Sequence, residues 1–213
     1  MIIINYKTYP QGTGIKAEQL TKKLEHLSNK IIICAQATDI YRLKKNSKLQ
    51  IFAQNSSGLR QGRNTGFILP EAIKSAGANG TLLNHAEHST NINSIKKTIK
   101  RCKELNLKTI VCVPDIKSAK KIIKLKPDYI AYEDSKLIST GVSISKVKPK
   151  KIKKFVELVK PTVVIPLCGS GISTATDVKK ALEFGIKGIL VASAIVKSSN
   201  PQKRLKSFLE VME

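Results

Sequence analysis

Eight short runs of β-branched and other apolar residues recur along the chain, each followed by a longer stretch with helical spacing, and this alternation leaves few folds open. The runs are Ile2 to Asn5, Lys30 to Ala35, Gln50 to Gln54, Gly80 to Asn84, Thr109 to Val113, Tyr129 to Glu133, Val163 to Cys168 and Gly188 to Ala192. Most are continuously apolar, as expected of parallel strands covered on both faces. The intervening segments place apolar residues at helical intervals, for example Leu20, Leu24 and Leu27, or Val178, Ala181 and Leu182. Ser173 to Asp177 opens one such helix with hydroxyls and an acid, and Gly185 stands where it stops. Pro127 and Pro161 end helices just ahead of strands six and seven.

Two architectures accommodate this pattern, an open doubly wound sheet and a closed (β/α)8 barrel. The open sheet expects a glycine-rich dinucleotide turn after strand one, and Asn5-Tyr6-Lys7-Thr8-Tyr9 occupies that place. The barrel is the expectation, as one domain over residues 1–213. With 213 residues it must be trimmed, since such barrels typically need about 250. The polar stretch Gln54 to Gly66 reads as a functional loop, because strand-helix alternation resumes directly after it.

The formal charge of +23 makes nucleic-acid binding the first rival class to weigh. Five arginines among 38 basic residues, spread over nearly every expected helix with few aromatics to stack on bases, favour solvated faces instead, and no nucleic-acid partner is expected. No apolar run approaches the ~18 residues that cross a membrane, and Met1 to Asn5 lacks the features of a secretory leader, so a cytoplasmic protein is expected. Cys34, Cys102, Cys112 and Cys168 are widely spaced without nearby histidines, which predicts reduced thiols and no metal site.

In a barrel of this kind the chemistry stands at the C-terminal ends of the strands. Those ends supply Asn5 and Lys7, then Asn84, His85 and Glu87, then Glu133, then Gly169-Ser170-Gly171, then Ala192-Ser193. Singly, each has an ordinary reading: a turn lysine, a satisfied histidine, a helix-capping acid, a tight turn. The Gly-Ser-Gly turn also suits an anion, because exposed backbone N–H groups and a following helix favour negative charge.

Together the strand ends resemble the triose-phosphate isomerase family, most closely its short archaeal branch. The resemblance rests on Asn5-Tyr6-Lys7, Leu69 to Ala72, Gly80 to Glu87, Ala131-Tyr132-Glu133, Ile138 to Gly141, Cys168 to Thr174 and Val191-Ala192-Ser193, in that order. It implies a TIM barrel with shortened helices that interconverts D-glyceraldehyde 3-phosphate and dihydroxyacetone phosphate through an enediolate, without a cofactor, in glycolysis and gluconeogenesis. It implies Glu133 as the base, His85 as the neutral imidazole at the carbonyl, Lys7 as positive charge, Asn5 as a donor to a substrate oxygen and Glu87 as their support. Substrate contacts are implied for Asn5, Tyr6, Lys7, Ile138, Ser139, Gly171, Ala192 and Ser193, with Asp134 to Gly141 as a closing lid. A homo-oligomer is implied, a tetramer with a dimer as the alternative.

Two lid positions depart from the family pattern, Asp134 where proline is usual and Ser139 where glycine is usual. The rival readings are another phosphate-binding barrel isomerase or lyase, which has no need of Asn5, Lys7, His85 and Glu133 together, and a basic nucleic-acid or scaffold protein on a degenerate barrel.

Overall fold

The structure, a computed structural model, describes residues 1–134 and 149–212. The strands are β1 (Ile2–Asn5), β2 (Ile31–Ala35), β3 (Gln50–Ala53), β4 (Gly80–Leu83), β5 (Lys108–Val113), β6 (Tyr129–Tyr132), β7 (Ile165–Cys168) and β8 (Gly188–Val191). Each pairs in parallel with the next, and β8 returns to β1 through Ile2–Ile189, Ile3–Leu190 and Ile4–Val191. The sheet therefore closes into an eight-stranded barrel with no free edge.

Helices wrap it: α1 (Gly14–Glu25), α2 (Ile40–Asn46), α3 (Pro70–Ser75), α4 (Ile92–Glu104), α5 (Ile116–Ile123), α6 (Pro149–Val159), α7 (Ala175–Glu183), α8 (Ser193–Val196) and α9 (Pro201–Leu209). Several are short, and α3 runs only 6 residues. Side chains cap their starts: Asn91 Oδ1 accepts from the Ser94 amide, Asp115 Oδ1 from that of Ser118, and Thr174 and Asp177 form a reciprocal capping box. Gly185, at φ +93, ends α7 in a conformation that an L-residue rarely takes.

Alternation along each strand divides the core. Ile2 and Ile4 point outward into a layer shared with Leu20, Leu24, Ile99, Phe155 and Phe208 from the helices. Ile3 points inward, where Ile32, Phe52, Leu82, Ile110, Tyr129, Leu167 and Leu190 fill the barrel. Gly80 is required beside that filling, since a Cβ there would lie 2.5 Å from the Phe52 ring. Truncating one of these fully buried isoleucines costs about 2–5 kcal/mol.

The expected strands all form, β1 with the expected bounds and the others with shifted ends. Four of them stop one residue short, leaving Gln54, Asn84, Glu133 and Ala192 as the first residues past the ladder. Strand seven begins at Ile165 rather than Val163, which is 84% exposed in the turn after α6. Leu27 falls just beyond α1, in the turn toward β2. Among the described residues, no helix is long and apolar enough to cross a membrane.

Candidate active site

The C-terminal ends of β1, β4, β6, β7 and β8 surround a cavity of about 190 Å³. It is lined by Asn5, Lys7, His85 and Glu133 together with Ser170 to Ser173 and Leu190 to Ala194. Asn5 faces inward because it continues the alternation of Ile3 on β1 and pairs with Cys34, itself an interior residue.

Three hydrogen bonds hold Lys7 in an unusual conformation. Its backbone is left-handed at φ +49, its amide donates to Asn5 Oδ1 at 2.9 Å, its carbonyl accepts from Gln54 Nε2 at 2.8 Å, and its Nζ donates to Glu87 Oε1 at 2.7 Å. A lysine rarely adopts this φ unless its surroundings over-determine it. With the Asn5 carbonyl oxygen engaged, the donor end of that amide is free to serve a substrate oxygen. Lys7 is only 8% exposed, so its charge acts in a low-dielectric setting.

His85 follows a second left-handed residue, Asn84 at φ +57, whose amide donates to the Cys112 carbonyl of β5 and accepts from the Thr90 amide. This side chain ties the turn to both of its neighbours and so aims His85 across the mouth. The Glu87 amide, in the short 3-10 turn Ala86–His88, donates to His85 Nδ1 at 3.2 Å. A nitrogen that accepts carries no proton, so in the neutral ring the proton sits on Nε2, toward the cavity. Nε2 lies 3.7 Å from Glu133 Oε2.

Glu133 is 6% exposed, and Oε2 finds no hydrogen-bond partner among the described residues. Its amide donates to the Val113 carbonyl of β5, while Gly169 donates its own amide to the Tyr132 carbonyl. Gly169 packs so closely that a Cβ there would lie 2.7 Å from Glu133 Cγ. Cys34 and Cys112 lie in the barrel interior beneath this carboxylate, and Cys168 packs in the outer layer; burial first, and the Glu133 charge second, pushes all three thiols up, so they remain neutral. All four cysteines are free and buried.

In the loops after β7 and β8, Gly171 is left-handed at φ +72, and α8 starts at Ser193. Both residues line the cavity, and the first-turn N–H groups of a helix have no partner within the helix. Asp177, fully buried, accepts from the amides of Ser173 and Thr174 and so holds the chain between the β7 loop and α7.

Seven expected site residues converge on this mouth: Asn5, Lys7, His85, Glu133, Gly171, Ala192 and Ser193. Glu87 reaches it through Lys7. Tyr6 does not. Its side chain is fully buried on the outer side of β1, where its hydroxyl hydrogen-bonds with Thr21 Oγ1 at 2.9 Å, because it alternates away from Asn5. Ile138 and Ser139, with the rest of the expected lid past Asp134, lie outside the described residues. Sequence reasoning missed Gln54, although its position at the end of β3 matches that of Asn5 on β1. It also missed the steric role of Gly169 and the placement of the three thiols, which leave no local signal.

The triosephosphate isomerase family model matches residues 1–213. A triosephosphate isomerase of Saccharolobus solfataricus is 42% identical over 98% of this chain and 94% of its own length. The triosephosphate isomerase of Sulfolobus acidocaldarius is 41% identical over 99% and 94%. That of Methanocaldococcus jannaschii is 38% identical over 99% of both chains.

Proposed function

The chain belongs to the triosephosphate isomerase family, and on that premise we propose that it interconverts D-glyceraldehyde 3-phosphate and dihydroxyacetone phosphate through an enediolate. The observation that carries this reading is the facing pair of Glu133 Oε2 and His85 Nε2, 3.7 Å apart at one cavity wall. A proton next to a carbonyl is too weakly acidic to leave at neutral pH unless the charge developing on oxygen is stabilised at the same moment. Glu133 supplies the base that carries the proton between C1 and C2, and its unsatisfied oxygen is the one free to accept it. His85 Nε2–H donates to the carbonyl oxygen and moves protons between the two oxygens. Lys7 adds positive charge to the enediolate and phosphate, and the Asn5 amide donates to a substrate oxygen. Gly171, Ala192 and Ser193 offer amides to the phosphate, and Ile138 and Ser139 complete its enclosure.

The same reading extends to a cytoplasmic place in glycolysis and gluconeogenesis and to a homotetramer, with a dimer as the alternative. Sedimentation of the purified protein decides between the two assemblies. A coupled assay in both directions tests the activity: wild-type protein turns over both triose phosphates, and Glu133→Ala loses several orders of magnitude. Full activity in the Glu133→Ala protein would remove the mechanism. Tight nucleic-acid binding that persists at raised salt, with no isomerase activity, would move the protein to a different class.

A further inference from the structure

The loop after β7 grips the end of β6 at consecutive residues. Gly169 donates its amide to the Tyr132 carbonyl at 3.1 Å and packs its bare Cα face on Glu133. Ser170 Oγ donates to the Asp134 carbonyl at 3.1 Å. Ser170 is buried and left-handed, at φ +57. An L-residue other than asparagine or aspartate seldom takes that conformation, whereas glycine, which stands on both sides of it, takes it freely. Serine at this position therefore keeps a strained backbone, and what its side chain adds over glycine is a hydroxyl directed at the backbone one residue past the base.

We propose that Ser170 is a positioning residue for Glu133. The backbone around the base is fixed on one side by the Glu133 amide donating to Val113 of β5, at 2.9 Å, and on the other by Ser170 holding the Asp134 carbonyl. Removing the second tie takes away one of the holds on the peptide after Glu133, and the placement of the carboxylate loosens with it. Strain retained at one buried residue, next to a reacting group, is the pattern expected where geometry rather than stability is being maintained. The inference rests on the isomerase reading above.

The test compares Ser170→Ala and Ser170→Gly with wild type in kcat, and in the affinities for 2-phosphoglycolate, whose carboxylate imitates the enediolate beside the base, and for inorganic phosphate, which fills only the anion subsite. For Ser170→Ala, kcat and 2-phosphoglycolate affinity are expected to fall together by roughly fivefold to tenfold, the worth of about one net hydrogen bond, with phosphate affinity unchanged. Ser170→Gly should show the same loss. Wild-type kcat in Ser170→Ala, a phosphate affinity that falls in step with kcat, or a kcat restored in Ser170→Gly would each overturn the proposal. The first denies any role, the second makes Ser170 an anion ligand, and the third makes strain rather than the hydroxyl the cause. An inactive wild type would instead bring down the isomerase reading, and this inference with it.

Discussion

His85 Nε2 stands 3.7 Å from Glu133 Oε2, while the other ring nitrogen accepts the Glu87 amide at 3.2 Å. The second contact decides what the first can do. In the neutral ring this contact makes Nδ1 the acceptor and leaves the proton on Nε2, facing the cavity. A substrate carbonyl placed beside this pair meets a donor, and its neighbouring carbon meets a base.

His85→Gln keeps a side-chain donor but loses the ability to pass a proton between two oxygens. The expected result is a fall in kcat of about 10²- to 10⁴-fold with a smaller change in KM. Steady-state kinetics in both directions check it, with circular dichroism to confirm the fold. A kcat within threefold of wild type would show that His85 is not the electrophile.

Gln54 acts on the same chemistry from a distance. Its Nε2 donates to the Lys7 carbonyl at 2.8 Å and to the Cys34 carbonyl at 3.3 Å, joining β2 and β3 to a lysine held in a left-handed turn. In Gln54→Ala two carbonyls lose a donor and Lys7 loses one of the restraints that keep its φ positive. Stability should drop by about 1–3 kcal/mol in urea unfolding, and kcat/KM by about tenfold. A stability loss with unaltered kinetics would assign Gln54 to the fold alone.

The buried thiols set the alkaline limit. Burial pushes Cys34, Cys112 and Cys168 up, and pushes Cys102 up to about 12. Above the unfolded value near 8.5–9 the unfolded chain has lost protons that the native state still holds, so stability is complete below that pH and falls as pH rises toward the folded values. Each thiol contributes a slope of about 1.4 kcal/mol per pH unit in that window. Urea unfolding at pH 8, 9.5 and 10.5 should show the decline, and Cys102→Ala should lessen its slope by one thiol's share. Parallel slopes for the two proteins would refute the linkage.

The barrel was legible because its cause is local. Eight apolar runs alternating with amphipathic segments specify parallel strands under helices, and β1 came out at Ile2–Asn5 as the pattern predicts. Strand ends were less legible for a reason tied to function. Gln54, Asn84 and Glu133 were assigned to strands, yet at each the chain leaves the ladder, at Asn84 by a left-handed turn that no apolar pattern encodes. Val163 misled in the opposite sense, since a β-branched residue after Pro161-Thr162 reads as buried strand and is in fact an exposed turn. Tyr6 shows the limit of reading a motif as a unit: strand alternation places Asn5 in the mouth and sends its neighbour to Thr21. Contacts such as Ser170 with Asp134 join residues 36 apart in sequence and exist only once β6 and β7 are paired.

Gly169→Ala isolates geometry from every other contribution. Gly169 does not have a positive φ, so alanine brings no backbone strain, and its one methyl group changes neither charge nor hydrogen bonding. That methyl would stand 2.7 Å from Glu133 Cγ and 2.8 Å from Cδ, closer than carbon atoms approach, so either the β7 loop or the base must yield. The loop is tied by the Gly169 amide to Tyr132 and by Ser170 to Asp134, whereas the carboxylate borders an open cavity and moves more easily. A displacement of about 1 Å at a reacting group costs on the order of 10²-fold in rate, so kcat should fall by about that factor while inorganic phosphate, bound across the cavity, keeps its affinity. If kcat holds and phosphate affinity falls, the loop has yielded instead, and the base is anchored more firmly than the loop that packs against it.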